Sequence, residues 1–224
     1  VLSTLPSAHP VIFVDRGLKK VDLSISNADL SDIDFENSAE FEQYIFRNVL
    51  EDGKFIGYGG YGENRVIYKK REHFGRDSTE QRSIHLGTDI WAHEGTPVFA
   101  LWEGVVHSFR DNFTHGDYGP TIVLQHAFDT HTLYSLYGHL NRSALSGIEV
   151  NRRFNRGQQL GLIGGYKENG HWPPHLHLQL IRDIGTYHGD YPGVCLRSET
   201  GYYLENCPNP ELVFCQQDLD HQTH

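Results

Sequence analysis

No apolar run in the chain approaches the length of about 20 residues that a bilayer-crossing helix needs, so no transmembrane segment is expected. No basic cluster is present either. Lys and Arg number 19 against 29 Asp and Glu among 224 residues, a formal net charge of -10 with histidines neutral. A chain of that sign fits a polyanion poorly, which sets nucleic acid aside as a partner. Cysteine is scarce: Cys195, Cys207 and Cys215 include no Cys-x-x-Cys pair, so a thiolate zinc site is disfavoured. One disulfide with a free thiol and a set of reduced thiols both stay open. Methionine is missing altogether, which is unusual at this length. The stretch from Val1 to Val14 lacks the basic region and apolar core of a signal peptide. The expected location is therefore periplasmic or secreted if such a peptide was removed, and cytoplasmic otherwise.

What the chain has in quantity is glycine, 23 residues, and tyrosine, 12, which suit a turn-rich β protein better than a helical bundle. Apolar runs at Arg65–Lys70, Thr96–Ala100, Gly104–Phe109, Thr121–His126, Thr132–Tyr137, Gln159–Ile163 and His175–Ile181 are bounded by Gly or Pro and read as strands. One helix is expected earlier, with Asn37 and Glu40 as a capping box, Phe41, Ile45 and Val49 as its inner face, and Gly53 as its C-cap. The fold class is mainly β, an antiparallel sheet or sandwich with a groove on one face, preceded by a short α-containing extension. The expected division is an N-terminal extension over 1–53, a core over 54–182, and a loop-like wrapping segment and tail over 183–224.

Fifteen histidines need sorting. Most histidines play no part in a site, and His93, His107, His115, His126, His131 and His188 fit no ligand spacing. Three clusters stand apart. In Ile84-His85-Leu86-Gly87-Thr88-Asp89-Ile90, glycine and β-branched residues oppose a helix, so an extended segment bent at Gly87 would bring an imidazole and a carboxylate together. In His175-Leu176-His177-Leu178-Gln179-Leu180, strand alternation puts both histidines on one face and the leucines on the other. In Tyr137-Gly138-His139-Leu140 a strand ends on one histidine beside a glycine. His85, Asp89 and His177 then form a candidate two-histidine, one-carboxylate zinc site, with His139 and His175 close by. Three protein ligands leave a fourth tetrahedral position, the pattern of catalytic zinc.

These motifs, in this order, resemble the lysostaphin/LytM family of zinc metallopeptidases, whose pattern is His-x-Gly-x-Asp, then Tyr-x-His-Leu, then His-x-His. Gly95-Thr96-Pro97-Val98, Glu103-Gly104-Val105-Val106, Tyr118-Gly119 and Gly157-Gln158-Gln159-Leu160-Gly161 resemble the connecting text as well. The resemblance covers about the middle half of the chain. It implies one zinc ion per chain held by His85, Asp89 and His177, with His139 and His175 as the catalytic pair. His175 would handle the attacking water and His139 would support the carbonyl oxygen. It implies an endopeptidase acting on the peptide stems or cross-bridges of peptidoglycan. The link over Asn141–Arg156 is longer than the family's, and His171-Trp172-Pro173-Pro174 replaces a small-residue loop, which bears on substrate choice. Tyr61-Gly62-Glu63-Asn64-Arg65 and Gly189-Asp190-Tyr191-Pro192-Gly193 resemble a branch found alongside kinase-like and aminotransferase-like domains, which points to further fused or neighbouring domains. Two other readings are a zinc hydrolase of a small cytoplasmic peptide or amide, and a non-catalytic regulatory module of the same fold.

Overall fold

The computed structural model describes residues 5–67, 81–129 and 131–214. The strands of that part are, in chain order, β1 (Gly17–Lys20), β2 (Phe55–Gly59), β3 (Ile84–His85), β4 (Thr88–Trp91), β5 (Pro97–Phe99), β6 (Gly104–Asn112), β7 (Gly119–Phe128), β8 (His131–Gly138), β9 (Arg153–Phe154), β10 (Gln159–Leu162), β11 (His175–Ile181) and β12 (Val194–Cys195). Helix is sparse: α1 (Ser38–Gln43), continued by a π-helical stretch over Tyr44–Val49, then α2 (Thr200–Asn206) and α3 (Glu211–Phe214). Among the described residues no helix is long and apolar enough to cross a membrane.

One sheet dominates, with strand order β1-β2-β4-β11-β8-β7-β6-β9. Its pairs are antiparallel except β1 with β2 at one edge. That pair is parallel because α1 lies between its strands, and parallel neighbours need such a crossover. Two small antiparallel ladders, β5 with β10 and β3 with β12, complete the strands. The mainly β expectation holds. The expected strand at Arg65–Lys70 does not form over its described part, where Arg65 makes an isolated bridge to Ser24; residues 68–70 lie outside the described residues.

The N-terminal helix differs from its sequence reading in detail. Asn37 accepts from the Glu40 N–H at 3.4 Å, but the Glu40 carboxylate accepts from the Asp34 N–H, so the capping box is half made. Phe41 and Ile45 are buried while Val49 is half-buried. The π-helical turn ends with the Leu50 N–H donating to the Ile45 carbonyl, which makes Leu50 the C-cap in place of Gly53. The segment after Asp183, read as loop, carries β12, α2 and α3. Cys195 and Cys207 there are buried free thiols, and burial pushes each up to about 11. Cys215 lies outside the described residues.

β11 is buried along its whole length, so both faces of the sheet are covered at its centre. Leu176, Leu178 and Leu180 enter the main core with Val98, Trp102, Ile122, Leu124 and Tyr137. Burying each such side chain contributes about 1.5–3 kcal/mol. The opposite face is closed by Leu86, Tyr118, Ile184, Tyr191, Cys195 and Cys207, and beside them by Phe41, Ile45, Trp91 and Trp172. His126, which fits no ligand spacing, is a core histidine. It donates from Nδ1 to the Glu103 carbonyl at 2.8 Å and meets Ser135 Oγ at 2.7 Å through Nε2.

Burial lowers the His126 imidazole from 6.5 to about 4, partly opposed by its bond to Glu103. The folded value lies below the unfolded one, so the stability this neutral ring carries is full above pH 6.5 and is lost as pH falls from 6.5 towards about 4. Urea unfolding at pH 7.5 and pH 5 is expected to show His126 responsible for about 2 kcal/mol of the loss. A His126→Gln protein that keeps the full acid sensitivity of the parent would contradict this.

Candidate functional site

The register between β4 and β11 sets Asp89 directly opposite His177, and Trp91 directly opposite His175. Opposed residues on neighbouring strands share a face, so a carboxylate and an imidazole become neighbours without any loop having to place them. On its other side His177 pairs with Gly138 of β8, which brings the end of that strand, and His139, to the same place. His85 arrives from β3, just before the bend at Leu86-Gly87. The glycine at that bend has a steric reason: a Cβ on Gly87 would lie 2.6 Å from His177 Cε1 and 2.7 Å from the Leu178 carbonyl oxygen. A Cβ on Gly138 would likewise lie 2.8 Å from Tyr118 Cδ1.

The result is a buried cluster in which one ligand-type atom from each of His85, Asp89 and His177 lies within 4.8 Å of the others. His85 Nε2 is 3.0 Å from His177 Nδ1, and Asp89 Oδ1 is 3.1 Å from His177 Nδ1 and 3.4 Å from His85 Nε2. The outward partners fix the tautomers. His85 Nδ1 faces the Gly60 carbonyl at 3.0 Å, which can only accept, so the proton sits on Nδ1 and Nε2 carries the lone pair. Gln179 gives its amide hydrogens to the Pro192 carbonyl and Cys207 Sγ, so the atom it turns to His177 Nε2, at 3.0 Å, is its oxygen. His177 is therefore protonated at Nε2 and turns a lone pair inward from Nδ1. Asp89 Oδ2 accepts from Arg65 Nη1 at 2.5 Å.

Three inward-facing acceptors with no hydrogen among them repel one another unless a cation joins them. Two imidazole nitrogens and one carboxylate oxygen make a donor set that fits a divalent metal ion. Protons are held off. Burial lowers His85 to about 3, assisted by the nearby Arg65, while Asp89 pulls the other way. For Asp89, burial raises the carboxyl, but His85, Arg65 and His175 together hold it well below the usual carboxylate range.

His139 and His175 stand beside the cluster with ring centroids 4.2 Å apart. His139 donates from Nδ1 to the Asn169 carbonyl at 2.7 Å, and His175 from Nδ1 to the Pro173 carbonyl at 2.7 Å. Each thus has its lone pair on Nε2, and His175 Nε2 lies 3.9 Å from Asp89 Oδ1. Burial lowers both rings, His175 to about 4, and His139 is lowered further by His175 and His177. Both are neutral proton acceptors at neutral pH. His175 stacks on Trp91 at 4.3 Å between centroids. His139 sits at φ +61, a strained setting for a non-glycine residue, and is held there by its N–H to the Tyr118 carbonyl and its carbonyl from the Gly164 N–H.

A cavity of about 290 Å³ opens onto these residues, walled by Tyr118, Trp172, Tyr191 and Val194 among others. Trp172 is thus a wall residue. Asn169 is not in the wall; its side chain ties Gly164 to Trp172 and so shapes the loop whose carbonyl orients His139. Tyr137 faces the opposite core, its hydroxyl accepting from the Leu101 N–H. Sequence reasoning missed Gly60, Arg65 and Gln179. Gln179 was within reach of it, two residues after His177 on the same strand face. Gly60 and Arg65 had no local signal, since only tertiary folding brings them to the cluster.

Gly87→Ala is expected to lose about 1–3 kcal/mol in urea unfolding, because backbone and a buried ring cannot yield to the added methyl. Gly201→Ala, where nothing lies within 4 Å, is the control and should be neutral or slightly stabilising in α2. Equal losses at both positions would refute the close-approach reading.

Residues 83–188 match the model of peptidase family M23. Among curated proteins the chain is 37% identical over 109 residues to the L-Ala--D-Glu endopeptidase of Bacillus subtilis, covering 46% of this chain and 31% of that protein. It is 33% identical over 150 residues to the peptidoglycan DD-endopeptidase ShyC of Vibrio cholerae, covering 61% of this chain and 32% of that protein. The matched region thus spans about a third of the length of these relatives. Among solved structures, the catalytic domain of lysostaphin from Staphylococcus simulans is 21% identical with a TM-score of 0.36, covering 54% of this chain and 80% of that one. The His-x-Gly-x-Asp and His-x-His motifs both fall inside the matched span, and the chain carries a peptidase family M23 domain.

Proposed function

We propose that this protein is a zinc-dependent endopeptidase that hydrolyses peptide bonds in peptidoglycan stems or cross-bridges. The observation that carries the reading is the convergence of three buried acceptors, His85 Nε2, Asp89 Oδ1 and His177 Nδ1, beside two neutral imidazoles at the foot of an open groove. The names of the relatives support the substrate class: two of them are called an L-Ala--D-Glu endopeptidase and a peptidoglycan DD-endopeptidase.

His85, Asp89 and His177 would hold the zinc ion. Bound there, zinc supplies a Lewis acid that polarises a carbonyl and brings the pKa of water from 15.7 to about 7. The rest of the chemistry belongs to the chain. His139 and His175 both present Nε2 lone pairs, so either can take a proton from the attacking water, and each disfavours a second charge on its neighbour. The pair therefore carries one proton at a time. Once charged, the imidazolium donates from Nε2, first towards the oxygen of the attacked carbonyl and then to the leaving amine, which departs neutral. His175 is the better seat for that proton because Asp89 lies 3.9 Å from it. His139, held by Asn169, faces the carbonyl oxygen. The aromatic wall of Tyr118, Trp172 and Tyr191 lines the path of the substrate and limits water around it.

Incubation with purified peptidoglycan and with synthetic stem peptides, read by mass spectrometry, is expected to yield a new amine and carboxylate at one peptide bond, abolished by a chelator. A protein that carries zinc and cleaves neither substrate would refute the peptidoglycan assignment. His139→Ala is expected to keep its zinc and lose about 10²–10⁴-fold in rate. His85→Ala is expected to lose zinc and activity together. Full activity in His139→Ala would remove that residue from the mechanism.

A further inference from the structure

The buried arginine beside the cluster belongs to none of the three histidine motifs and lies outside residues 83–188. Arg65 is 2% exposed, and it spans two carboxylates: Nη1 donates to Asp89 Oδ2 at 2.5 Å and Nε donates to Glu63 Oε2 at 2.8 Å. Glu63 is itself fastened, its other oxygen accepting from the Leu23 N–H at 3.1 Å. The Arg65 backbone donates to the Ser83 carbonyl at 2.9 Å, at the start of the segment that carries His85. Gly60 presses on the same group. A Cβ there would fall within 3.1 Å of both the Arg65 guanidinium and His85 Nδ1, at a φ of +94 that already favours glycine.

The two oxygens of Asp89 are therefore not equivalent. Oδ2 is committed to a planar, permanently charged donor, and Oδ1 alone turns to His85 and His177. A carboxylate free of such a partner can give both oxygens to one cation and fill two positions around it. We propose that Arg65 is a positioning residue that restricts Asp89 to one-oxygen ligation and so keeps a position open for water or the substrate carbonyl. The assignment rests on the metal reading given above. It makes the segment before Ser83 part of the working centre: Gly60 sets the His85 tautomer, and Glu63 and Arg65 set the Asp89 rotamer. Outer partners of this kind commonly fix the orientation of metal-binding side chains.

Cobalt(II) tests this without an activity assay, because its visible bands are more intense at four-coordinate sites than at five-coordinate ones. The full chain loaded with one equivalent of cobalt is expected to show the strong bands. Arg65→Leu frees Oδ2 and is expected to lower their intensity severalfold at equal cobalt content. Because that variant leaves Glu63 buried without its partner, the double variant Glu63→Gln with Arg65→Leu, which removes both charges, is measured beside it, and circular dichroism checks the fold of each. Band intensity unchanged in a folded double variant overturns the assignment. So does a folded double variant that takes up no cobalt, since Arg65 would then serve binding itself and not the number of oxygens. A wild-type chain that takes up no cobalt and no zinc overturns the metal reading, and this assignment with it.

Discussion

The pairing of β4 with β11 governs the site. Asp89 and His177 are opposed across that ladder, and His175 and Trp91 are opposed two residues along it. Side chains alternate with a period of two, so a slip of one residue would send both histidines into the leucine core and the leucines into the groove. The main core prevents the slip: Leu176, Leu178 and Leu180 are each fully buried among Ile90, Ile122 and Leu124. The same hydrophobic energy that builds the sheet thus aims the polar side chains. Loops only have to deliver the members that the ladder cannot, His85 from the bend before β4 and His139 from the end of β8.

That arrangement leaves four histidines and a carboxylate each no more than 5% exposed, where charge is costly. Carbonyl groups resolve part of the cost by fixing tautomers. Gly60, Asn169 and Pro173 each accept an Nδ1 proton, and the amide oxygen of Gln179 accepts the Nε2 proton of His177. The imidazoles are then satisfied on one edge and carry a bare lone pair on the other. The remaining negative charge, on Asp89, is met by Arg65, whose second partner is Glu63. Burial of Glu63 raises its carboxyl while Arg65 lowers it, so the triad is balanced by its geometry and not by solvent. A cation held among the inward lone pairs, as proposed above, would complete the balance.

Much of this was legible along the chain because the information is local. Strand alternation over His175–Leu180 announced one polar and one apolar face, and the structure places the leucines in the core and the histidines in the groove. The bend at Gly87 was legible from glycine and β-branched neighbours. The four long strands β6, β7, β8 and β11, and the short pair β5 and β10, were legible from apolar runs between turns. The short strands β1 and β2 were not: β2 reads Phe-Ile-Gly-Tyr-Gly, and two glycines in five residues erase the pattern. The helices α2 and α3 were hidden as well, each being two turns or less among turn-forming residues. Nor was the π-helical stretch legible, because an insertion of one residue per turn leaves the apolar spacing of Phe41 and Ile45 intact and shows only in where the helix ends.

The limit of local reading is clearest at Arg65. It opens the expected strand Arg65–Lys70, and no site role was read from it. It is among the most buried side chains in the protein, 24 residues before the carboxylate it holds. A buried guanidinium is stable only with its acceptors in place, and those acceptors come from Glu63 beside it and Asp89 across the fold. Residues 83–188 supply the inward edge of every proposed ligand and only part of the outward edge: Gly60 for His85 and Arg65 for Asp89 lie before that span, and Cys207, which anchors Gln179 behind His177, lies after it. The family motifs therefore define what can bind, while the flanking chain, folded back on both sides of the cluster, defines the rotamers and tautomers in which it binds.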